Sequence, residues 1–364
     1  MSTSRIPPIL EQYTRAPQAG ELVLLTNVLG AGTNWLISQF LCSTLAEDPR
    51  RRIAGDDAFG SGHEIGGTEE EKEETAVLLV SWMRDLAFWT AEGRKAWGLD
   101  LARLAQRNRF TFIDGLTELF ITPAIPGQHP NPNPHHHPPA SPLPIRSTRT
   151  ITPRGPPPSA SSLSPLARNP PAPPTPSTTT KLTSPSLQHI ESTILSAIST
   201  LSTPASPKRI ILILDHPDLL LATGATSTPP SPSQTTQHST PDTSTAVEPL
   251  RAMLHTLCQH VHAAVVSLVA DAPLANGGGG GGGGGSTPLE TNHAALLAGL
   301  AHVADLVLSV RLLDTGFARD VSGVVRVSGA AGEGAGREVL YYVGKDGVVK
   351  AFERGGAGGV GEGS

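Results

Sequence analysis

Between Leu22 and Leu45 the chain reads as a short buried strand, a glycine turn and an apolar-periodic helix, and this succession constrains the fold most. Leu22–Leu25 supplies the strand and Trp35–Leu45 the helix, with Thr26-Asn27-Val28-Leu29-Gly30-Ala31-Gly32-Thr33-Asn34 between them. A phosphate-binding loop, G-x-x-x-x-G-K-[ST], occupies such a junction: its lysine holds the β- and γ-phosphates and its hydroxyl the Mg²⁺. Aligned on Gly32, the first glycine becomes Asn27, the lysine Thr33 and the Ser/Thr Asn34. The turn is kept and the charge is gone. That points to a nucleotide-binding fold used for something other than its own nucleotide chemistry.

Further along, strand-like and helix-like segments alternate. Strands are expected at Val77–Trp82, Phe110–Asp114, Ile210–Asp215, Ala264–Ala270 and Asp305–Leu312. Gly323–Ser328, Val339–Val343 and Val348–Glu353 follow, the last two joined by a Lys345-Asp346-Gly347 turn. Helices are expected at Arg94–Arg107, with Gly98 as a weak point, and at Leu187–Leu201, Val247–His262 and Thr291–Ala304. Short continuous apolar strands alternating with helices indicate an α/β fold: a mainly parallel sheet covered on both faces, extended by C-terminal β-hairpins.

Long insertions interrupt this pattern. Residues 123–185 are rich in Pro, Ser and Thr and bury too little apolar surface to offset their ordering entropy, and 223–245 have the same character. Residues 55–75 mix glycine with the acidic run Glu69-Glu70-Glu71-Lys72-Glu73-Glu74, expected as a solvated loop face, and Gly277–Gly285 is an unbroken glycine loop. The chain, residues 1–364, is therefore expected to hold a single domain with a folded part of roughly 230 residues.

Net charge is −5, so the chain as a whole does not attract nucleic acid, although a local basic patch stays open. Cys42 and Cys258 lie in apolar helical patterns and are expected as buried thiols of a reducing compartment, without zinc spacing. Met1-Ser-Thr-Ser-Arg-Ile-Pro-Pro has no apolar leader core, and no apolar run reaches the length of a membrane span, so a soluble intracellular protein is expected.

Ile210-Ile211-Leu212-Ile213-Leu214-Asp215 is the second informative segment: a buried strand ending in aspartate has the form of a Walker B strand, whose carboxylate sits near Mg²⁺ and water. Its order after the altered loop argues for shared ancestry with P-loop enzymes. In RecA-type ATPases a glutamate near the end of a neighbouring strand activates water. The corresponding stretch, Val80-Ser81-Trp82-Met83-Arg84-Asp85, offers no glutamate, only the nearby Asp85. His135-His136-His137 sit in a Pro/Asn-rich tract, His255, His260 and His262 miss H-E-x-x-H spacing, and Gly60, Gly62 and Gly66 follow no strand. P-x-x-P matches in the long tract are expected by chance from its proline content. Arg311, Arg319 and Arg326 flank the late strands; in a ring they could reach a neighbour's nucleotide or a nucleic acid, the plain alternative being surface solubility.

A more specific resemblance is carried by Val77-Leu78-Leu79-Val80-Ser81-Trp82, Phe88-Trp89, Lys95, Gly98-Leu99-Asp100-Leu101, Arg109-Phe110 and Asp114-Gly115-Leu116-Thr117-Glu118-Leu119-Phe120. With the lysine-less Gly30–Asn34 loop, the Ile210–Leu221 strand and the Tyr341–Phe352 hairpin, this resembles the sixth subunit of the Elongator complex. The resemblance implies a RecA-like P-loop ATPase fold without intact Walker motifs. It implies assembly with the fourth and fifth Elongator subunits into a heterohexameric ring that docks on the larger Elongator subunits and binds tRNA. The complex modifies the wobble uridine to 5-methoxycarbonylmethyl and 5-carbamoylmethyl forms. Its chemistry resides in another subunit, so the resemblance implies no catalytic, cofactor-binding or metal residue here, no cofactor, and a cytoplasmic and nuclear location. The acidic insertion, the long Pro/Ser/Thr tract and the glycine run depart from the family pattern. Two rivals stay open: an active RecA-type ATPase or recombinase paralogue with a degenerate loop, and a proline-rich adaptor with a small globular anchor.

Overall fold

The computed structural model describes residues 7–45, 74–119, 179–203, 206–223, 247–277, 286–316, 318–329 and 336–353. All belong to one compact unit, Met1–Ile121 with Thr178–Ser364; the other unit, Thr122–Ser177, lies outside the described residues.

The strands are β1 Leu22–Asn27, β2 Glu74–Ser81, β3 Phe110–Asp114, β4 Thr179–Lys181, β5 Lys208–Asp215, β6 Ala263–Val269, β7 Leu306–Arg311, β8 Gly323–Ser328, β9 Glu338–Val343 and β10 Val349–Glu353. The helices are α1 Pro8–Glu11, α2 Asn34–Leu45, α3 Leu86–Trp97, α4 Leu101–Gln106, α5 Leu187–Leu201, α6 Leu219–Ala222, α7 Val247–Gln259, α8 Ala272–Ala275 and α9 Pro288–Val303. The strands form one sheet in the order β10-β9-β8-β7-β1-β6-β5-β2-β3-β4. From β7 to β4 neighbours pair in parallel, and β8, β9 and β10 add an antiparallel extension. One strand, β6, separates β1 from β5. This is the expected RecA-like α/β architecture: the strand before the altered loop and the strand ending in Asp215 stand one place apart.

Parallel strands buried on both faces read as unbroken aliphatic runs, and β5 is the clearest case: Ile210 to Leu214 are all at most 3% exposed. One face of the sheet packs against α1 to α4 through Leu10, Phe40, Trp89 and Leu104, and this core runs on to Val325, Val339 and Val349 of the extension. The other face packs against α5, α6, α7 and α9 through Ile194, Leu220, Leu254 and Leu296. That second core reaches Val307 of β7 and contains no residue of β8, β9 or β10.

Several boundaries differ from expectation for identifiable reasons. The helix expected over 94–107 is two helices: Asp85 caps the first by accepting the Phe88 N–H at 2.8 Å. Gly98, at φ +66°, ends it, and the Asp100 carboxylate starts the second. Helix α9 begins at Pro288, ahead of Thr291, because Thr287 and Glu290 form a reciprocal capping box. Helix α7 stops at Gln259, short of His262. Strand β1 continues through Thr26 and Asn27, paired with Leu268 and Val269, so the residue aligned with the first loop glycine belongs to the sheet.

The insertions are shorter than expected at their ends. Glu74 and Thr75 belong to β2, and the Glu74 carboxylate lies 3.5 Å from Arg109 and 3.4 Å from Lys208, so this end of the acidic run is ion-paired. The tract expected to reach Pro185 gives way to β4 at Thr179, and Leu182 is fully buried. Cys42 and Cys258 are half-buried rather than fully buried as expected, and burial pushes the Cys258 thiol up. Residues 224–245, Gly278–Gly285, Gly60, Gly62, Gly66, the His135–His137 run and the P-x-x-P matches lie outside the described residues.

Candidate functional site

The central parallel strands end at one edge of the sheet, where α/β domains place their ligands. Here that edge holds a buried polar cluster: Thr33, Ser81, Asp215, His216, Asp218, Ser267 and His293, none more than 4% exposed. Burying such groups is costly unless each meets a partner. Asp215 meets several: Ser81 Oγ donates to its Oδ2 at 2.6 Å, and His216 Nδ1 lies 2.8 Å from its Oδ1. Ser267 Oγ lies 3.0 Å from the same His216 Nδ1. A few residues on, Asp218 Oδ2 meets His293 Nε2 at 3.0 Å and accepts the Val269 N–H at 3.2 Å. The cluster therefore joins β2, β5, β6 and α9.

His216 adopts φ +59°, a left-handed backbone that a non-glycine residue rarely takes. Its pKa is raised: burial pushes it down, but the hydrogen bond to Asp215 and the charges of Asp215 and Asp218 outweigh burial and the opposing Arg84. The constellation of serine, histidine and aspartate is not a nucleophilic triad. In a triad the serine and the carboxylate address opposite ring nitrogens, whereas Ser267 and Asp215 both face Nδ1.

The glycine turn is equally committed. The Leu29 N–H donates to Asp271 Oδ1 at 2.8 Å, and the Ala31 N–H to the Val28 carbonyl at 2.9 Å. Gly30 sits at φ +89°, and a Cβ there would meet Leu312 at 3.3 Å. A phosphate cradle needs free amides and a cation; this turn has the Asp271 carboxylate bound to one amide. At a separation of about 4 Å such a carboxylate opposes a phosphate by on the order of 1–4 kcal/mol per unit charge, depending on solvent access.

Thr33 is 1% exposed, with its Oγ1 3.3 Å from Ser267 Oγ. Its hydroxyl thus faces inward, as the Mg²⁺-binding hydroxyl of a working loop would. Shifting the alignment by one residue would make Thr33 that hydroxyl and Gly32 the lysine. In either register the lysine is missing.

The other residues singled out from the sequence are dispersed, to different ends. Asp85 caps α3 and is outside the cluster. Arg311 pairs with Asp314 and, at 3.0 Å, with Glu338. Arg319 lines a cleft of about 450 Å³ with Gly30, Leu312, Ser322 and Tyr342, while Arg326 is exposed on β8. His255 and His260 bond within their own helix region, to Gln259 and the Thr256 carbonyl. Among the described residues no group of His, Cys, Asp and Glu is arranged to hold a metal ion. Ser81, His216, Asp218, Ser267, Asp271 and His293 had no role legible in the sequence. A serine inside the apolar run Ala263–Val269 was the one available signal.

The Val77–Phe120 signature has structural uses throughout its described part. Trp89 is fully buried, Gly98 and Asp100 end and start helices, and Arg109 pairs with Glu74. Asp114 Oδ1 accepts the Leu116 and Thr117 amides, holding a turn in which a Cβ on Gly115 would lie 2.8 Å from the Trp82 indole. Phe120 lies outside the described residues.

Compared by sequence, the chain matches no family profile and no curated protein. Compared by structure, it is similar to a KaiC-like protein of the hyperthermophilic archaeon Pyrococcus horikoshii OT3, with 11% identity, 96% of this chain and 97% of that one covered, and a TM-score of 0.46.

Proposed function

We propose that this chain is a non-catalytic structural subunit of the Elongator complex. In this reading it forms a heterohexameric ring with the fourth and fifth subunits, docks with them on the larger subunits, and supports tRNA binding and wobble-uridine modification in the cytoplasm and nucleus. The observation that carries the non-catalytic half is the occupied Asp215 carboxylate, fully buried with Ser81 on one oxygen and His216 on the other. A Walker B carboxylate must be open to a metal-bound water; this one is used to join strands. The missing lysine and the Asp271 carboxylate on the loop act in the same direction. The Elongator half rests on the sequence resemblance and on the RecA-like sheet order that such a subunit requires. Arg311, Arg319 and Arg326 remain the candidates for contact in trans with a neighbour's nucleotide or with tRNA.

The deciding experiment is co-expression of the full chain with the fourth and fifth subunits, read by native mass spectrometry. A stable hexamer containing this chain is expected, and its absence sinks the reading. Titration of the isolated chain with Mg-ATP is expected to give no heat of binding; micromolar affinity would favour the rival of an active RecA-type ATPase.

A further inference from the structure

Ser206-Pro207-Lys208-Arg209 leads from α5 into β5. Ser206, Pro207 and Arg209 are exposed, whereas the Lys208 side chain is only 4% exposed. Backbone hydrogen bonds of 3.3 and 2.9 Å link Thr203 and Ser206 in both directions, and the Lys208 N–H donates to Ser202 Oγ at 3.0 Å, so the segment is held at the surface. The Ser206 hydroxyl has no hydrogen bond among the described residues. Ser184 and Thr287 also precede proline, but Ser184 Oγ accepts the Ser186 N–H and Thr287 Oγ accepts the Glu290 N–H that caps α9. Lys208 and Arg209 pair only with Glu74 and Thr75 of β2, because β6 joins the strand from Ile211 onward. Arg209 therefore stands at the less paired end of β5, three residues beyond the serine.

We propose that Ser206 is a phosphorylation site for a proline-directed protein kinase whose acidic pocket takes Arg209. Such a kinase selects the residue after the acceptor by its missing N–H: proline leaves no amide donor unpaired there and biases the residue before it to extended backbone. A cation three residues beyond the acceptor then pairs with carboxylates of the kinase. No other serine or threonine that precedes a proline in this chain has Lys or Arg at that position. In the reaction Ser206 Oγ attacks the γ-phosphorus of a nucleoside triphosphate. The new O–P bond forms as the bond to the β–γ bridging oxygen breaks, the nucleoside diphosphate leaves with that electron pair, and the hydroxyl proton passes to the kinase's catalytic aspartate. The product carries about two added negative charges at pH 7. They arrive next to Lys208 and Arg209, where Lys208 and Arg109 already hold the Glu74 carboxylate at 3.4 and 3.5 Å. Neighbouring cations favour the dianion, so the second ionisation of this phosphate falls below its ordinary value of about 6. The site is independent of the ring reading.

The test incubates the full chain with a purified cyclin-dependent kinase and Mg-ATP and locates the phosphate by mass spectrometry. Ser206 is expected to be the main modified residue, and Ser206→Ala to remove most of the incorporation. Arg209→Gln is expected to lower kcat/KM at Ser206 about tenfold while leaving the urea midpoint of the exposed site close to that of the wild type. A synthetic peptide of residues 202–212 serves as the control for the motif. If the peptide is phosphorylated and Ser206 of the folded chain is not, the fold withholds the site and the proposal falls. If neither is phosphorylated, the motif itself fails and the proposal with it. Unchanged kcat/KM in Arg209→Gln would overturn the role given to that cation. In ³¹P NMR of the phosphorylated chain the resonance is expected to titrate below about pH 6; titration at or above that value would overturn the placement of the phosphate beside Lys208 and Arg209.

Discussion

Ser81, the last residue of β2, donates its hydroxyl to Asp215, the last residue of β5, across 2.6 Å in a fully buried environment. The same Ser81 oxygen accepts the Arg84 N–H at 2.9 Å, so one small side chain joins two strand ends and the chain leading into α3. The carboxylate that a P-loop enzyme would aim at metal and water is here a structural acceptor.

Ser81→Ala leaves that acceptor unsatisfied inside the protein. A hydrogen bond to a charged group is worth roughly 1.5–3 kcal/mol, so a stability loss of about that size is expected in urea unfolding at unchanged m-value. A loss under about 0.5 kcal/mol, the size of an ordinary surface substitution, would show that Asp215 is satisfied without Ser81.

His216 makes the fold pH-dependent with a definite sign. Its pKa is raised above the ordinary 6.5 by Asp215 and Asp218 in excess of the cost of burial. The folded state therefore binds the proton more tightly than the unfolded state. This contribution is fully present below about pH 6.5 and is lost as pH rises through the folded value. Urea midpoints of the wild type are expected to fall across that window. His216→Asn tolerates the left-handed backbone at φ +59° and should remove this part of the slope. An identical slope in the variant would assign the effect elsewhere.

Thr33→Lys is expected to yield no ATPase activity. Thr33 is 1% exposed beside Ser267, so a lysine there must bury an ammonium or push the loop apart. The expected readouts are a lowered Tm and no phosphate release above background; measurable turnover would mean the site is less decayed than its geometry indicates.

Gly115→Ala tests the Asp114–Thr117 turn. The added Cβ would stand 2.8 Å from the Trp82 ring and 3.1 Å from the Ser81 carbonyl oxygen. Overpacking of this kind costs about 1–3 kcal/mol, and because Trp82 is 3% exposed, a change in its fluorescence should accompany the loss. A variant as stable as the wild type would show that Trp82 can move aside freely.

The strand-and-helix alternation was legible because its signals are local. Ile210–Leu214 is a short, isoleucine-rich apolar run that reads as a strand buried on both faces, and Leu187–Leu201 repeats its isoleucines at helical spacing. Misplaced boundaries followed from signals just outside the apolar pattern. Thr287-Pro288-Leu289-Glu290 carried a capping box, and Asp85 a helix start, both readable in principle. The cluster was less legible. Ser267 and His293 lie on β6 and α9, and nothing in their neighbourhoods announces that they meet Asp215–His216 and Asp218.

By itself the sequence determined the α/β class, the glycine turn without its lysine, and the aspartate at the end of a buried strand. These follow from residue type and period, which short stretches of chain express on their own. Only the tertiary structure decided what became of that aspartate. Strand order brought β2, β5 and β6 side by side, and in that buried setting Asp215 took the Ser81 hydroxyl and the His216 ring as partners. The same order carried the first core, and not the second, on to β8, β9 and β10.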